Sequence, residues 1–461
     1  MRPRIAAAWL ALLACAAVAT PDAAAQERAS PQQATPADAI TLIHAGTLLA
    51  APPAAPLLQQ TIVLRGDRIV EVRPGFASPQ AFASSGGALP QLVDLSSHYV
   101  LPGLIDAHVH LSFQSGGNPL LAYRQSDSEQ ALTALIFARR TLAAGFTTVR
   151  DLASGPEVMY AVRNAIRAGR FIGPRILVAG LPITARGGHG DFPGSREDLW
   201  QDREARESGI CWDDGSCRDA VRAQIKRGAD VIKLMASGGF ASGTGALQQL
   251  TAGEMRAVVE AAQMRGIRVT THAYAASAIA DAVRSGVNSV EHGIGLDDAT
   301  AQEMAKRGTY FVPTLMVYQP PRSDARTSMA ASAGAPEMSQ RAIQRAIRFG
   351  VPIAFGTDTG VGWPHGSNAR EFQLLVGAGL PPAQAIATAT TSGAANLGLG
   401  DQIGRIAPGF LADIIAVKRD PLADPAALES VDFVMKSGRI AKQDGTMLPG
   451  ERWDGDRYAH P

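Results

Sequence analysis

The 461-residue sequence lacks the features that mark several broad classes of protein. Its formal net charge is only +1, from 43 basic and 42 acidic residues, and it contains no block of like charge, which argues against nucleic acid as a partner. After the N-terminal segment, no stretch reaches the ~18 consecutive apolar residues that a membrane-spanning helix needs. No G-x-S-x-G motif indicates a serine nucleophile. Apolar residues still make up 46% of the chain, enough for a large core.

The N-terminus predicts export. Residues 1–25 have the parts of a signal peptide: the basic Arg2 and Arg4, an apolar stretch from Ile5 to Ala19, and a small-residue cleavage site, Ala-Ala-Ala. We therefore expect a periplasmic or secreted protein. An alternative stays open, because the Leu-Leu-Ala-Cys sequence that ends at Cys15 resembles a lipobox, and cleavage there would leave a lipid-anchored protein.

Cysteine is scarce, with three residues in the whole chain. Removal of the signal peptide would leave Cys211 and Cys217. In an oxidising compartment, two cysteines at this spacing can close a small disulfide loop, and the alternative is a pair of free thiols. Without further cysteines or histidines nearby, the pair is a weak candidate for a zinc site.

The centre of the chain differs in pattern from its two ends. Residues 26–39 predict a flexible leader, and residues 451–461 form a tail. The regions inside the leader and the tail, residues 40–100 and 399–450, are rich in short β-branched runs broken by Gly, Pro and Asp. We expect these two regions to form one small β-domain. Residues 101–398 instead alternate short apolar runs with helical patterns, which indicates a parallel sheet.

The central pattern contains eight β/α units, which predict an α/β protein with a (β/α)8 TIM barrel. The predicted strands are YVLPGLIDAHVH, FTTVRD, RILVAG, DVIKLMA, IRVTTHA, SVEHG, YFVPTL and PIAFGTD. Ser126, Thr251 and Thr300 each precede a glutamate by three residues, a capping-box spacing that predicts helix starts. Gly145 and Gly308 predict helix ends.

The sharpest local motif is Asp-Ala-His-Val-His at the end of the first predicted barrel strand. Side chains two positions apart on a strand share a face, so His108 and His110 are expected to project together into the barrel mouth. Two adjacent imidazoles suit Zn²⁺ or a similar metal. Two buried, hydrogen-bonded structural histidines are the alternative.

Further candidate ligands end other predicted strands. His272, His292 and Asp358 fall at the C-terminal ends of the fifth, sixth and eighth strands, and Lys233 lies on the fourth. Catalytic groups of a TIM barrel lie at this rim, so together these residues predict a metal centre. A lysine ammonium is a poor ligand, but its reaction with CO₂ would give an anionic carboxylate that can bridge two ions. A structural lysine paired with a carboxylate is the alternative.

In this order, the residues resemble the metal-dependent amidohydrolase superfamily. The PGLIDAHVHL, FGTDTG and IGRIAPGFLADIIAV stretches carry the resemblance, which extends from about Ile40 to Gly438. The VIKLMASGG, TARGGHGD, VEHG and HGSNARE stretches are most similar to the branch of Xaa-Pro and Xaa-Arg dipeptidases and ochratoxin-hydrolysing amidohydrolases. Imidazolonepropionase-like proteins are near relatives, whose single-metal sites lack the bridging lysine. The resemblance also implies a small β-sandwich built from both chain ends, and homo-oligomers.

The resemblance implies a role for each candidate residue. One of two divalent ions, most simply Zn²⁺, would be held by His108, His110 and Asp358, the other by His272 and His292, with a carboxylated Lys233 between them. A shared water would supply hydroxide, and Asp358 would carry its proton to the leaving amine. His189, after the third strand, would place the substrate or polarise its carbonyl, unless it is a solvent-facing loop residue. Tyr274 and His365 are expected to be walls of the site.

The predicted reaction is hydrolysis of an amide or peptide bond in a small molecule, either a dipeptide or an N-acyl amino acid such as ochratoxin A. Opening of a cyclic amide, or deamination, on the same barrel is the alternative, and it would go with one ion per chain. A third possibility is an exported binding protein without catalysis. That possibility predicts the loss of a ligand, whereas all six ligand positions are occupied.

Overall fold

The computed structural model describes residues 39–83, 89–114, 125–155, 157–191, 193, 208–319 and 334–449. The predicted signal peptide with Cys15, nearly all of the leader and the tail lie outside these ranges.

The described residues form short strands in the two end regions and alternating strands and helices between them. The strands are β1 (Ile40–Leu48), β2 (Leu57–Arg65), β3 (Arg68–Pro74), β4 (Gln91–Pro102), β5 (Leu104–Val109), β6 (Phe146–Asp151), β7 (Arg175–Val178), β8 (Ile183–Ala185), β9 (Ile210–Cys211), β10 (Val231–Met235), β11 (Arg268–Ala273), β12 (Ser289–His292), β13 (Tyr310–Val312), β14 (Ile414–Val417), β15 (Phe433–Lys436), β16 (Arg439–Gln443) and β17 (Thr446–Met447). The α-helices are α1 (Asp127–Ala143), α2 (Val158–Arg167), α3 (Asp214–Arg227), α4 (Ala252–Gln263), α5 (Ala276–Ser285), α6 (Asp298–Arg307), α7 (Ala335–Phe349), α8 (Arg370–Gly377), α9 (Pro382–Thr388) and α10 (Thr391–Leu397).

Strands from both ends of the chain share one eight-stranded sheet, in the order β17-β16-β15-β14-β4-β1-β2-β3. The two ends meet where β14 pairs antiparallel with β4, with Ile415 opposite Leu101. Buried side chains of both halves, such as Ile43 and Phe433, belong to one apolar cluster. The short β-branched runs of the two end regions are therefore strands of one sheet that the regions build together.

The central strands pair in parallel, as the alternating pattern predicts for an α/β protein. They form one sheet in the order β5-β6-β7 and another in the order β13-β12-β11-β10-β8-β9. The Asp230 N–H, just before β10, donates to the Val178 carbonyl in β7 at 2.8 Å and so links the two sheets. Two features were not predicted: the short β9, and the interruption between β7 and β8.

The predicted eighth strand makes strand-like contacts without forming a continuous strand. Its Pro352 carbonyl accepts from the Phe311 N–H of β13 at 2.8 Å, and its Phe355 carbonyl accepts from the Ala107 N–H of β5 at 2.9 Å. The Phe355 N–H, however, bonds to a carbonyl at the end of α9, and Asp358 adopts φ +60°. Since these departures divert the backbone from a regular ladder, the segment joins β13 and β5 only at isolated positions.

Most of the predicted helix boundaries are confirmed: capping boxes form at Ser126 and Thr251, and left-handed glycines follow helices at Gly145 and Gly308. The start predicted at Thr300 is wrong. Helix α6 begins three residues earlier, because the Asp297 carboxylate accepts the Thr300 N–H at 2.7 Å and acts as the N-cap. Aspartate caps a helix at least as well as threonine does, so Asp297, the earlier of the two residues, is the N-cap.

Aromatic packing fixes the segment that carries Asp358. The buried Phe355 ring lies 5.5 Å from the Phe146 ring of β6 and 4.5 Å from the Phe372 ring of α8, measured between centroids. All three belong to the largest apolar cluster, which also includes side chains of the central strands and the surrounding helices.

Among the described helices, none is both long and apolar enough to cross a membrane.

Candidate metal centre

Three strands bring four histidines into one buried cluster. His108 lies in β5, His110 directly follows it, His272 lies in β11, and His292 ends β12. These residues are 1%, 7%, 3% and 3% exposed, respectively. Ring centroids are 5.3 Å apart for His108 and His110, 5.0 Å for His108 and His292, and 4.7 Å for His272 and His292. The imidazoles predicted at separate strand ends are therefore neighbours.

Asp358 completes a group with metal-ligand geometry. Its Oδ1 lies 2.9 Å from His110 Nε2 and 3.5 Å from His108 Nε2. One ligand atom from each of these three residues falls within 4.8 Å of the others. Two imidazole nitrogens and a carboxylate oxygen are a donor set that suits Zn²⁺ and similar divalent ions.

Hydrogen bonding at Asp358 fits a shared cation. Oδ1 is buried, and no group among the described residues donates a hydrogen bond to it. His110 Nε2 approaches this oxygen closely, but it is not aligned as a donor. A buried carboxylate oxygen without a donor is costly unless a cation compensates it. The pair therefore has the geometry of two atoms that face one ion.

In three of the histidines, one ring nitrogen contacts a hydrogen-bonding group of the protein. The contacts are His108 Nδ1 to Glu291 Oε2 at 2.9 Å, His272 Nε2 to the Gly238 carbonyl at 3.0 Å, and His292 Nδ1 to Thr314 Oγ1 at 2.7 Å. Such contacts set the orientation of a metal-binding imidazole and the nitrogen that it offers. They leave Nε2 of His108, Nδ1 of His272 and Nε2 of His292 for an ion.

Burial keeps most of these rings neutral, as metal ligation requires. Burial, with smaller contributions from neighbouring cationic groups, lowers the pKa of His108, His272 and His292 well below the usual value. At His110 burial also lowers the pKa, but the nearby Asp358 carboxylate outweighs it, so the pKa of this ring is raised. The exception identifies His110 as the ring that interacts most strongly with Asp358.

Lys233 lies among these groups. It is in the middle of β10, 2% exposed, and its strand pairs in parallel with β11, where Met235 is opposite His272. Burial lowers the pKa of the ammonium to about 8, although the carboxylates of Glu291 and Asp358 oppose that change. A lower pKa raises the fraction of neutral amine, the form that reacts with CO₂.

Comparison with known proteins identifies the family. The sequence profile of the amidohydrolase family matches residues 99–441. The chain belongs to the amidohydrolase family. It is 30% identical to the ochratoxinase of Aspergillus niger over 453 residues, which cover 89% of this chain and 88% of that protein.

Solved structures give the same result. The chain resembles a Xaa-Pro dipeptidase with methionine bound in the active site, with a TM-score of 0.80 and 35% identity over 88% of this chain and all of that one. It also resembles a prolidase complexed with N-methylphosphonate-L-proline, with a TM-score of 0.77 and 30% identity over 88% of this chain and all of that one. This amidohydrolase is therefore a hydrolase that acts on C–N bonds, and its structural neighbours imply a TIM-barrel fold.

A buried ion pair supports the histidines of this amidohydrolase, and the sequence reasoning missed it. The Glu291 side chain accepts from Arg150 at 2.9 Å and from the Ser289 hydroxyl at 2.8 Å, in addition to its contact with His108. Arg150 also donates to the Ala107 carbonyl at 2.7 Å. The only signal in the sequence was a charged residue inside each of two short apolar strands, FTTVRD and SVEHG.

Asp106 plays a similar supporting part. It accepts from the Thr357 hydroxyl at 2.7 Å, from Asn368 Nδ2 at 2.8 Å and from the His108 N–H at 3.0 Å. These bonds connect the strand that carries His108 to the segment that carries Asp358. Burial raises the pKa of Asp106 to about 7, and the hydrogen bonds only partly offset this effect.

Backbone strain is concentrated at the cluster. Among the described residues, six that are not glycine have positive φ, and three of them are His292 at +67°, Thr314 at +48° and Asp358 at +60°. Such conformations cost about 1–3 kcal/mol each and persist only where the surrounding structure enforces them. Two candidate ligands and the partner of one of them are thus held in unfavourable backbone conformations.

His189 lies beside the cluster. It begins a short 3-10 helix (His189–Asp191) after β8, and its ring centroid is 4.5 Å from that of His272. Nδ1 contacts the Ser242 hydroxyl at 2.6 Å, and burial lowers the pKa of the ring to about 4. A Cβ at Gly239 would come within 2.3 Å of this ring, so the glycine makes room for it. The alternative of a solvent-facing loop residue does not match this placement.

The two predicted wall residues occupy different positions. Tyr274 is buried. The centroid of its ring lies 4.5 Å from that of His272 and 5.5 Å from that of His292. His365 stacks on Phe137 at 4.6 Å, and its Nε2 contacts the Phe113 carbonyl at 3.0 Å. Tyr274 therefore borders the histidines directly, whereas His365 packs against helix α1.

Cys211 and Cys217 form a disulfide, not a pair of free thiols. The bond joins β9 to the first turns of α3. Because β9 pairs with β8, with Cys211 opposite Ala185, the disulfide also braces the strand that leads to His189.

Proposed function

We propose that the protein is a dinuclear metal-dependent amidohydrolase that cleaves the amide bond of a dipeptide or an N-acyl amino acid. The observation that carries this proposal is the convergence of four buried imidazoles, Asp358 and Lys233 in one cluster. A purely structural role would not require three histidines whose pKa burial lowers, and a fourth, His110, beside a carboxylate oxygen that has no donor among the described residues.

The arrangement supports a division of the ligands between two ions. His108, His110 and Asp358 would hold the first ion, since their donor atoms already lie close together. His272 and His292 would hold the second, through the nitrogens that their hydrogen bonds leave for it. A carboxylated Lys233 would bridge the two. Zn²⁺ is the ion proposed for both positions, because it favours nitrogen and carboxylate ligands.

The protein's own groups account for proton transfer and substrate placement. Two divalent ions, when bound, supply a water of lowered pKa and a polarised amide carbonyl. The Asp358 carboxylate would accept the proton of the attacking water and return it to the nitrogen of the leaving amine. His189 would contact the substrate through Nε2, because Nδ1 is engaged by Ser242.

The names of the relatives support the substrate class. They include an ochratoxinase, a Xaa-Pro dipeptidase and a prolidase, which suggests amide bonds to an amino acid. The proposed substrates are therefore Xaa-Pro or Xaa-Arg dipeptides and N-acyl amino acids such as ochratoxin A.

A substrate panel with metal-replete protein tests the proposal. Chromatography would measure release of the free amino acid from each compound, with Asp358→Asn as the inactive control. We expect release from at least one class of compound. Opening of a cyclic amide, or release of ammonia, with one ion per chain would instead support the alternative reaction. No release of any kind by protein that holds two ions would refute catalysis at this site.

We also propose that the central strands close into a (β/α)8 barrel over residues 101–398. The links from β10 to β7 and from residues 352–359 to β13 and β5 support a closed ring. The β-sandwich proposed for residues 40–100 and 399–450 is supported by the Ile69 N–H, which donates to the Phe410 carbonyl at 2.9 Å and so connects the β3 edge to the chain before β14. A crystal structure would test both.

Export and self-association complete the proposal. A disulfide between Cys211 and Cys217 is consistent with an oxidising compartment. N-terminal analysis of the exported protein would give a chain that starts at Gln26, or a lipid-modified chain that starts at Cys15 for the anchored alternative. Light scattering would test the proposed homo-oligomer.

A further inference from the structure

The turn after β13 holds a metal-site histidine. Thr314 lies two residues beyond the strand, fully buried, with the left-handed φ of +48°. Its hydroxyl contacts His292 Nδ1 at 2.7 Å. The direction of the His292 ring, and thus the nitrogen it offers to an ion, depends on where this hydroxyl is held.

Thr314 occupies the N-cap position of a short 3-10 helix (Leu315–Tyr318), but its side chain does not cap that helix. The first N–H groups of a helix have no partner within the helix and need acceptors from elsewhere. A threonine hydroxyl usually provides one. Here the hydroxyl is engaged by His292, so the cap has to come from another part of the chain.

Glu371 provides the missing cap from helix α8. Its carboxylate accepts the Leu315 N–H at 2.8 Å through Oε1 and the Met316 N–H at 2.7 Å through Oε2. The side chain is fully buried. The two bonds hold the backbone immediately after Thr314, and they give acceptors to the first two N–H groups of the 3-10 helix while the Thr314 hydroxyl is engaged by His292.

We propose that Glu371 is a positioning residue for His292: by capping the turn after β13, it leaves the Thr314 hydroxyl to fix the ring of His292 toward the second ion. This inference rests on the proposed function, because it assumes that His292 binds a metal. Glu371 itself is not proposed to touch the ion or the substrate.

The test measures Zn²⁺ binding to apo-protein by competition with a chromophoric chelator, so it does not depend on a known substrate. Thr314→Val keeps the shape of the side chain but removes the hydroxyl, and we expect about 10–100-fold weaker binding of one of the two ions. Thr314→Ser should restore most of the affinity. Thr390→Val is the matched control, since Thr390 is equally buried but its hydroxyl donates to the backbone carbonyl of Ile386 and not to a candidate ligand, and it should bind zinc like the wild type.

Glu371→Gln keeps one acceptor oxygen and leaves the other N–H of the turn without one. We expect it to weaken the same ion as Thr314→Val. In a His292→Ala background, Glu371→Gln should cause no further loss, because the ring that it positions is absent. An equal further loss in that background would show that Glu371 acts by another route and would overturn the inference.

The outcomes separate the two levels of the argument. Wild-type protein that binds fewer than two zinc ions would refute the dinuclear function itself. Wild-type protein that binds two ions, with folded Thr314→Val of unchanged affinity, would refute only the positioning role. If Glu371→Gln does not fold, as judged by circular dichroism, the comparison of Thr314→Val with Thr314→Ser still decides.

Discussion

Replacement of Glu291 by glutamine perturbs the support beneath the histidines without changing the size of the side chain. Glu291 and Arg150 are 0% and 1% exposed and lie 2.9 Å apart. The same carboxylate contacts His108 Nδ1 at 2.9 Å. Glutamine would keep one oxygen for these partners, but it would leave the guanidinium of Arg150 buried without the carboxylate to which it donates.

The magnitude follows from this loss of pairing. Removal of one partner of a buried ion pair costs about 3–5 kcal/mol, because the remaining charge stays desolvated. The total free energy of unfolding of a typical protein is about 5–15 kcal/mol, so Glu291→Gln should remove a large part of it. Burial lowers the pKa of Arg150, and the charge of Glu291 opposes this effect. Glu291 therefore helps to keep the buried guanidinium charged.

Urea denaturation of apo-protein, followed by circular dichroism, would measure the change in unfolding free energy. The control is Asp298→Asn, which breaks an exposed pairing with Arg345 and Arg348 and should have a far smaller effect. Arg150→Met combined with Glu291→Gln should recover much of the loss, because the double variant has no buried guanidinium that lacks its partner. A wild-type unfolding free energy for Glu291→Gln alone would refute the reasoning.

Three further predictions concern the ligands and the disulfide. Asp358→Asn should lower kcat by about 10²–10⁴-fold with an unchanged circular dichroism spectrum, as expected for loss of a proton-transfer group; a rate within threefold of wild type would contradict that role. His292→Ala should abolish turnover while the fold is retained, and wild-type rates in metal-replete mutant protein would rule out the assignment. Joint replacement of Cys211 and Cys217, which are six positions apart, by serine should lower the unfolding free energy by about 2 kcal/mol, as measured by urea denaturation, and no change would show that the loop closure contributes nothing.

The candidate ligands could be predicted because their signals are local. His108 and His110 are two residues apart at a strand end, where their side chains share a face. His272, His292 and Asp358 each follow a short apolar run, and parallel strands of a β/α fold place such ends at one rim. The structure brings these residues together as predicted, and the family assignment is confirmed.

The supporting residues could not be predicted because their partners are distant in the sequence. Glu291 contacts a histidine 183 residues away, and Glu371 caps a turn 56 residues before it. Neither partner can be inferred from spacing or periodicity.

The backbone conformations at the site could not be predicted from the sequence for a similar reason. The left-handed conformations of His292 and Asp358 are imposed by tertiary contacts against the preference of residues other than glycine. Such strain also helps to explain why the predicted eighth strand is irregular. The helix expected to be capped by Thr300 is capped by Asp297 and begins at Asp298, because both residue types can cap a helix and the glutamate spacing drew attention to the later one.

Metal content is the most direct test of the dinuclear centre. Elemental mass spectrometry of the purified protein should give two divalent ions per chain, and Lys233→Ala should retain at most one, since the bridge between the ions would be gone. One ion in the wild type, or two ions in Lys233→Ala, would contradict the proposed centre.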